Sequence, residues 1–306
     1  MFKHVDYLQF QAKPEKPDAF FAAKLQELIG GQFGEMTVMM QYLWQGWSCR
    51  VPGKYKDMIM DIATEEIGHV EMLTTMLARL LEGGPAEATE KAAAANPLLA
   101  AVLGGQNPQH SIVTGGGPMP TNSQGVPWNA GYIVASGNLL ADFRSNVAAE
   151  AQSRLQTSRI YNMTDDRGVK DMLQFNLARD TYHQQQWLLG IESLIEDGFT
   201  DTPIENSNGD VEKEFARRTF YSFDPESQAG RGRWAVGQTL LGEEIEYVPD
   251  AQPLTDDKPL GPAPDPKLFV TYDGAMGKGK PGTGAGAHGQ GVANVVNKIK
   301  GAVTDN

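Results

Sequence analysis

The chain has 306 residues, 41% of them hydrophobic and 21% charged, with 34 Gly, one Cys and five His. That apolar share belongs to an ordinary globular protein and excludes wholesale disorder, while the single Cys49 excludes an internal disulfide framework and every multi-cysteine zinc or iron–sulfur site. A net charge of −12, from 26 basic and 38 acidic residues, lacks the electrostatic footprint of a nucleic-acid binder.

No run approaches the ~18 consecutive apolar residues of a membrane span. The first six residues lack the apolar core of a signal peptide. With one free thiol, a cytoplasmic protein is the expectation. At roughly 150 residues per domain, the length allows one or two domains.

Taken in chain order, the first helical stretch runs from about Pro17 to Cys49, with apolar residues at helical spacing from Phe20 and Phe21 through Leu25, Leu28 and Ile29 to Met36, Met39, Met40 and Leu43. Pro17-Asp18 is its start signal, because Pro is tolerated in the first turn and Asp favours the positive helix end. The second stretch spans about Lys54 to Glu82, bounded by Pro52-Gly53 and Gly83-Gly84-Pro85. Residues 83–127 are punctuated by Gly and Pro too often for long helices, although Ala-rich 86–95 could form a short one. Two more helices are predicted, from about Trp128 to Met163 and from about Asp166 to Asp197, the second closed by Gly198.

Each pair of helices is joined by a short connection and the pairs by a long one. This is the plan of a mainly α, ferritin-like four-helix bundle with a long crossover, assigned to residues 1–200. Residues 201–306 are expected to form an extended, irregular C-terminal region. Its 201–272 part is Pro- and Asp-rich, with short strands such as Leu268–Tyr272. Residues 274–291 hold eight Gly in eighteen positions, a flexible tail composition, and 292–303 have weak helical periodicity.

Of the five histidines, only His69 and His183 lie inside predicted long helices, and each has a carboxylate three residues earlier, Glu66 and Asp180. On a helix these positions share a face. Glu35 precedes Glu66 by 31 residues and Glu150 precedes Asp180 by 30, so the chain repeats the order Glu, about thirty residues, acid-x-x-His. Lone Glu residues from two helices and acid-x-x-His pairs from the other two form the ligand set of dinuclear carboxylate sites in helix bundles. A single acid-x-x-His is more often a solvated pair; two at matched spacings are a rarer coincidence. Gly30, Gly31, Gly34 and Gly68 are expected inside helices beside the cluster, leaving it space. Tyr42, two turns after Glu35, could hydrogen-bond a ligand carboxylate. The methionines read as core, because thioethers suit soft metals, and Asp57 with Asp61 read by default as a solvated face. The dinucleotide-like Gly284–Gly289 has only 17 residues after it and no room for a βαβ unit. Cys49 reads as a structural thiol.

These residues resemble the non-haem manganese catalases. The resemblance is densest in Gly31–Met36 through Gln41-Tyr42, in Ala63–Glu71, in Arg144–Glu150 and in Ala178–Gln185. It implies that Glu35, Glu66, His69, Glu150 and His183 hold two manganese ions with Glu66 bridging, and that Tyr42 assists from outside the ligand set; Asp180 could act as an outer proton relay or as a sixth ligand. It also implies hydrogen peroxide as substrate, a cytoplasmic homohexamer, and a structural Ca²⁺ site at Asp57, Asp61, Ser222 and Asp224. The C-terminal segment would then wrap neighbouring subunits. Two departures stand out: Ala149 where some members have Arg, and Asp180 where some have Glu. Two other readings remain open on the residues alone. One is a di-iron peroxidase, oxidase or iron-handling protein, which a sixth ligand at Asp180 would favour; the other is a non-enzymatic stress or coat protein with a vestigial site.

Overall fold

Side-chain caps set where four of the described α-helices begin. In a computed structural model, residues 5, 7–51, 53–82, 107–199 and 212–252 are described; the expected features at 86–95, 268–272, 274–291 and 292–303 lie outside them. The chain divides into two units at Lys213–Glu214. In the first, the Asp18 carboxylate accepts the backbone N–H groups of Phe20 and Phe21 and starts α1, Ala19–Leu25, followed by α2, Glu27–Gly30, and α3, Glu35–Ser48. Gly53, with φ of 78°, turns the chain into α4, Lys54–Leu80. Asn107 caps the short α5, Pro108–Ile112; Asn138 caps α6, Leu139–Tyr161; Asp166 caps α7, Arg167–Glu196.

Two expectations about helix bounds are corrected. The stretch 17–49 is three helices: a turn at Gln26 separates α1 from α2, and Gly31 to Gly34 separate α2 from α3. A Cβ on Gly30 would collide with the Thr121 backbone, and one on Gly34 would lie 2.8 Å from the Ile29 carbonyl oxygen. These glycines serve close backbone approach, Gly30 to the crossover and Gly34 to the end of the preceding helix, rather than room for the cluster. Gly68 is likewise not needed for space, since a Cβ there would meet only the Gln9 side chain, at 3.4 Å. The third long helix begins at Leu139, not near Trp128. The preceding segment satisfies its polar groups on α3: the Trp128 indole donates to the Thr37 hydroxyl at 2.9 Å and the Val134 N–H to Gln41 Oε1 at 2.8 Å.

α3 and α4 form one hairpin, α6 and α7 the other, and together they make the ferritin-like bundle. Its core is layered. Phe21, Leu25, Leu28, Met72, Leu73, Met76, Leu77, Leu80, Ile160, Val169, Met172 and Leu173 form one apolar cluster. Val38, Tyr42, Tyr55, Ile59, Ile62, Leu140, Phe143, Trp187 and Leu194 belong to the other. Between them each helix keeps its 3.6-residue periodicity but presents polar residues, so a charged layer is closed above and below by apolar ones. Residues 7–16 run along α4 and α7: Phe10 stacks on Phe175 with centroids 4.6 Å apart, and Gln11 donates to Asp171 at 2.9 Å.

In the second unit, β1, Thr219–Tyr221, pairs in parallel with β2, Glu246–Val248, in the register Thr219 to Glu246. Arg217 forms an ion pair with Glu243 at 2.6 Å. No helix among the described residues is long and apolar enough to cross a membrane.

Candidate metal centre

The polar layer brings together seven residues singled out above: Glu35 and Tyr42 from α3, Glu66 and His69 from α4, Glu150 from α6, and Asp180 and His183 from α7, all buried. The carboxylate of Glu66 lies between the two imidazoles. Its Oε2 is 2.6 Å from His69 Nδ1 and its Oε1 is 2.6 Å from His183 Nδ1. Each imidazole has a second carboxylate on its own side: Glu35 Oε2 is 3.7 Å from His69 Nδ1, and Glu150 Oε1 is 3.8 Å from His183 Nδ1. The rings lie 5.5 Å apart between centroids, at 26° to one another. The arrangement is two half-sites joined by one carboxylate.

Hydrogen bonding accounts for one side of this geometry only, the 2.6 Å bond between His69 Nδ1 and Glu66 Oε2. Glu66 Oε1 and His183 Nδ1 are close, yet neither has a hydrogen-bond partner among the described residues. Buried polar atoms are normally satisfied. Lone pairs converging on a shared point, from hard carboxylates and neutral imidazoles, fit metal ligands; two sets of three, Glu66–His69–His183 and Glu35–His69–Asp180, bring donor atoms within 4.8 Å of one another.

The electrostatics favour bound positive charge. Burial, then the Glu66 charge, pushes Glu35 up to about 7. Burial, with Glu66 for Glu150 and with Glu35 for Asp180, raises those two well above the usual carboxylate range. Burial also opposes ionisation of Glu66, but His69 and His183 outweigh it and hold its carboxyl below that range. Against burial, Glu66 and its neighbours raise His69, and raise His183 to about 10. The layer thus collects protons, and divalent cations would displace them.

Outside the layer are groups that the sequence reading missed. Glu65 faces the outer nitrogens of both rings, at 3.1 Å from His183 Nε2 and 3.6 Å from His69 Nε2. Arg179 grips Glu65 with two bonds of 2.6 and 3.0 Å, and Gln9 adds a third at 2.8 Å. A carboxylate behind a ligating imidazole fixes its tautomer and its orientation. The signal was present, since Glu65 precedes His69 by four residues and Arg179 precedes His183 by four, one helical turn in each case. On the other side the Tyr42 hydroxyl donates to Glu150 Oε1 at 2.5 Å, and burial with the Glu150 charge pushes its own ionisation up. Gln41 and Gln45 both donate to Asn146 Oδ1, at 2.8 and 2.9 Å, one turn before Glu150.

Asp57 and Asp61 are exposed one turn apart on α4, away from this layer. In the second unit Ser222 is buried and donates to the Asp224 carbonyl at 3.1 Å, with Asp224 exposed. His110, which falls in the Gly- and Pro-punctuated stretch, is buried in α5, with Nε2 3.0 Å from Gln26 Oε1.

The profile of the family described as manganese containing catalase matches residues 1–276. A manganese catalase of Bacillus subtilis is 52% identical over 264 residues, covering 86% of this chain and 96% of the relative. A manganese catalase of Lactiplantibacillus plantarum is 49% identical over 196 residues, 64% of this chain and 73% of the relative. The crystal structure of KatB, a manganese catalase from Anabaena, superposes with a TM-score of 0.61 at 27% identity, over 83% of this chain and all of that one.

Proposed function

The chain belongs to the manganese-containing catalase family, and on that ground we propose that it disproportionates hydrogen peroxide to water and dioxygen at a dimanganese centre held by Glu35, Glu66, His69, Glu150 and His183. The observation that carries this reading is the Glu66 carboxylate, with one oxygen 2.6 Å from each imidazole and a further buried glutamate on either side. When bound, a manganese pair supplies a two-electron couple, reduced by one peroxide and reoxidised by the next.

The remaining work falls to side chains. Glu66 spans the two half-sites and sets their separation. Glu65, neutralised by Arg179, bonds His183 Nε2 at 3.1 Å and lies 3.6 Å from His69 Nε2, a charge behind both rings that favours Nδ1 facing the centre. The Tyr42 O–H donates to Glu150 Oε1 and fixes the second glutamate; Asp180 supplies a further carboxylate next to Glu35. The apolar layers on either side keep bulk water from competing.

Oxygen evolution from hydrogen peroxide, measured together with metal content on protein expressed with manganese, tests the reading. Two manganese ions per chain and oxygen release insensitive to azide-type haem poisons are expected; two iron ions and no oxygen overturn it. Glu66→Ala should empty the site, whereas Tyr42→Phe should keep the metal and lower turnover. Full activity in Glu66→Ala would refute the bridging role.

A cytoplasmic homohexamer is part of the same proposal, with residues 1–200 as the catalytic bundle and 201–306 as the segment that wraps a neighbour. Light scattering on the full chain and on a chain ending at residue 213 tests it. A structural Ca²⁺ held through Asp57, Asp61, Ser222 and Asp224 rests on the family resemblance, and calorimetric titration of the manganese-loaded protein with Ca²⁺ tests that.

A further inference from the structure

Asp180 repeats the position of Glu66 in the acid-x-x-His pattern, but the fold uses it differently. Glu66 lies between the imidazoles; Asp180 lies to one side, in a group with Glu35 and His69 whose donor atoms are within 4.8 Å of one another. One amide holds the two acids side by side, since Asn176 Nδ2 donates to Glu35 Oε1 at 2.9 Å and to Asp180 Oδ1 at 3.0 Å. The other hydrogen bond to Asp180 comes from the Ser153 hydroxyl, at 3.4 Å. Both donors are neutral. Arg179, next to Asp180 in the chain, is committed to Glu65 instead. Glu35 and Asp180 are each 1% exposed, so water does not solvate the pair. Two buried carboxylates held side by side by one amide, with the His69 imidazole as their shared neighbour, make a three-donor group that a hard divalent cation fits.

We propose that Asp180 is a sixth protein ligand, serving only the Glu35–His69 half of the centre. This rests on the dimanganese reading; because a sixth ligand that is a carboxylate also suits a di-iron centre, the metal content and oxygen release of the test above decide which metal pair the six ligands hold. The two metal positions then differ. One is made by Glu35, His69, Asp180 and one oxygen of Glu66. The other is made by Glu150, His183 and the second oxygen of Glu66, with Tyr42 bonded to Glu150. The four carboxylates together carry as much negative charge as two divalent cations carry positive charge. The extra anionic oxygen makes the Glu35 position the tighter one, so it fills first.

The test uses the full chain, stripped of metal and titrated with Mn²⁺ against a competing chelator, with electron paramagnetic resonance separating single from paired ions. The wild type should load in two steps. Asp180→Asn, which keeps the shape but not the charge, and Asp180→Ala should both weaken the tighter step by about 100-fold or more, beyond the roughly 10–100-fold expected of a residue that only orients a ligand. Anomalous diffraction from manganese-loaded wild-type crystals decides independently of variant folding. An Asp180 oxygen within the roughly 2.0–2.6 Å range of hard divalent cations supports the assignment. Two ions bound with Asp180 outside that range overturn it and leave the catalase reading standing. A wild-type layer that takes up no manganese overturns both.

Discussion

Glu65 and Glu66 are neighbours in the chain, yet a helical step of about 100° gives them opposite duties. Glu66 enters the layer between the ring Nδ1 atoms, and Glu65 meets the Nε2 atoms from outside. Glu65→Gln keeps the volume but removes the charge that pairs with Arg179 and with both rings. It should lower manganese affinity about 10–100-fold while leaving the helices intact. Chelator competition beside circular dichroism checks this, and an unchanged affinity would remove Glu65 from the site. His110 gives a residue-scale test of another kind. Burial pushes its imidazole below the ordinary value. The unfolded chain therefore takes up a proton first as pH falls through about 6.5, and stability contributed at neutral pH declines in that window. In His110→Gln the denaturation midpoint should fall less between pH 7.5 and 5.5 than in the wild type; equal slopes would contradict the prediction. The residues of the buried polar layer were legible because their types and spacings are local facts. Glu65 was not picked out, because an acid beside an acid looks like solvation until the facing helix brings His183 and Arg179 to it.

At the scale of elements, the tight joins deserve a direct test. Gly30 ends α2 against the Thr121 backbone, and Gly168, in the first turn of α7, would with a Cβ collide with the Lys13 carbonyl. Gly30→Ala should destabilise the fold by about 1–3 kcal/mol, as overpacking usually does. Gly168→Ala should displace residues 7–16, seen as faster amide exchange at Gln9 and Gln11 with the bundle core unchanged. Protection as slow as in the wild type would show that the arm is held without that approach. Helix ends marked by Asp18, Asn138 or Asp166 are legible, since each cap accepts a backbone N–H two or three residues on. The break in 17–49 was hidden. Apolar periodicity carries across it, and glycine runs read equally as space beside a cluster or as a tight fold against a loop some ninety residues away.

At the scale of the whole molecule, metal and fold should be linked. Ions that bind only the folded layer stabilise it by about 2.7 kcal/mol each at a free concentration 100-fold above Kd. For a unit of this size that is about 5–10 °C of Tm per ion. Calorimetry with manganese and with a chelator checks it, and coincident transitions would argue against a metal held in the core. By itself the sequence determined the chemistry available and its repetition: one thiol, two helical histidines, four acids at matched spacings, and an acidic surplus of which these four are a small part. It also determined which face of each helix is polar, because 3.6-residue periodicity is a local property. The family resemblance, not any spacing, pointed to Glu66 as the acid between the imidazoles; only the tertiary structure decided which acid sits with Glu35 and which one supports the rings from behind. Those choices depend on how far each helix slides and rotates against its neighbours. The apolar layers above and below set that stagger through contacts between residues distant in the chain, and no window of sequence contains them.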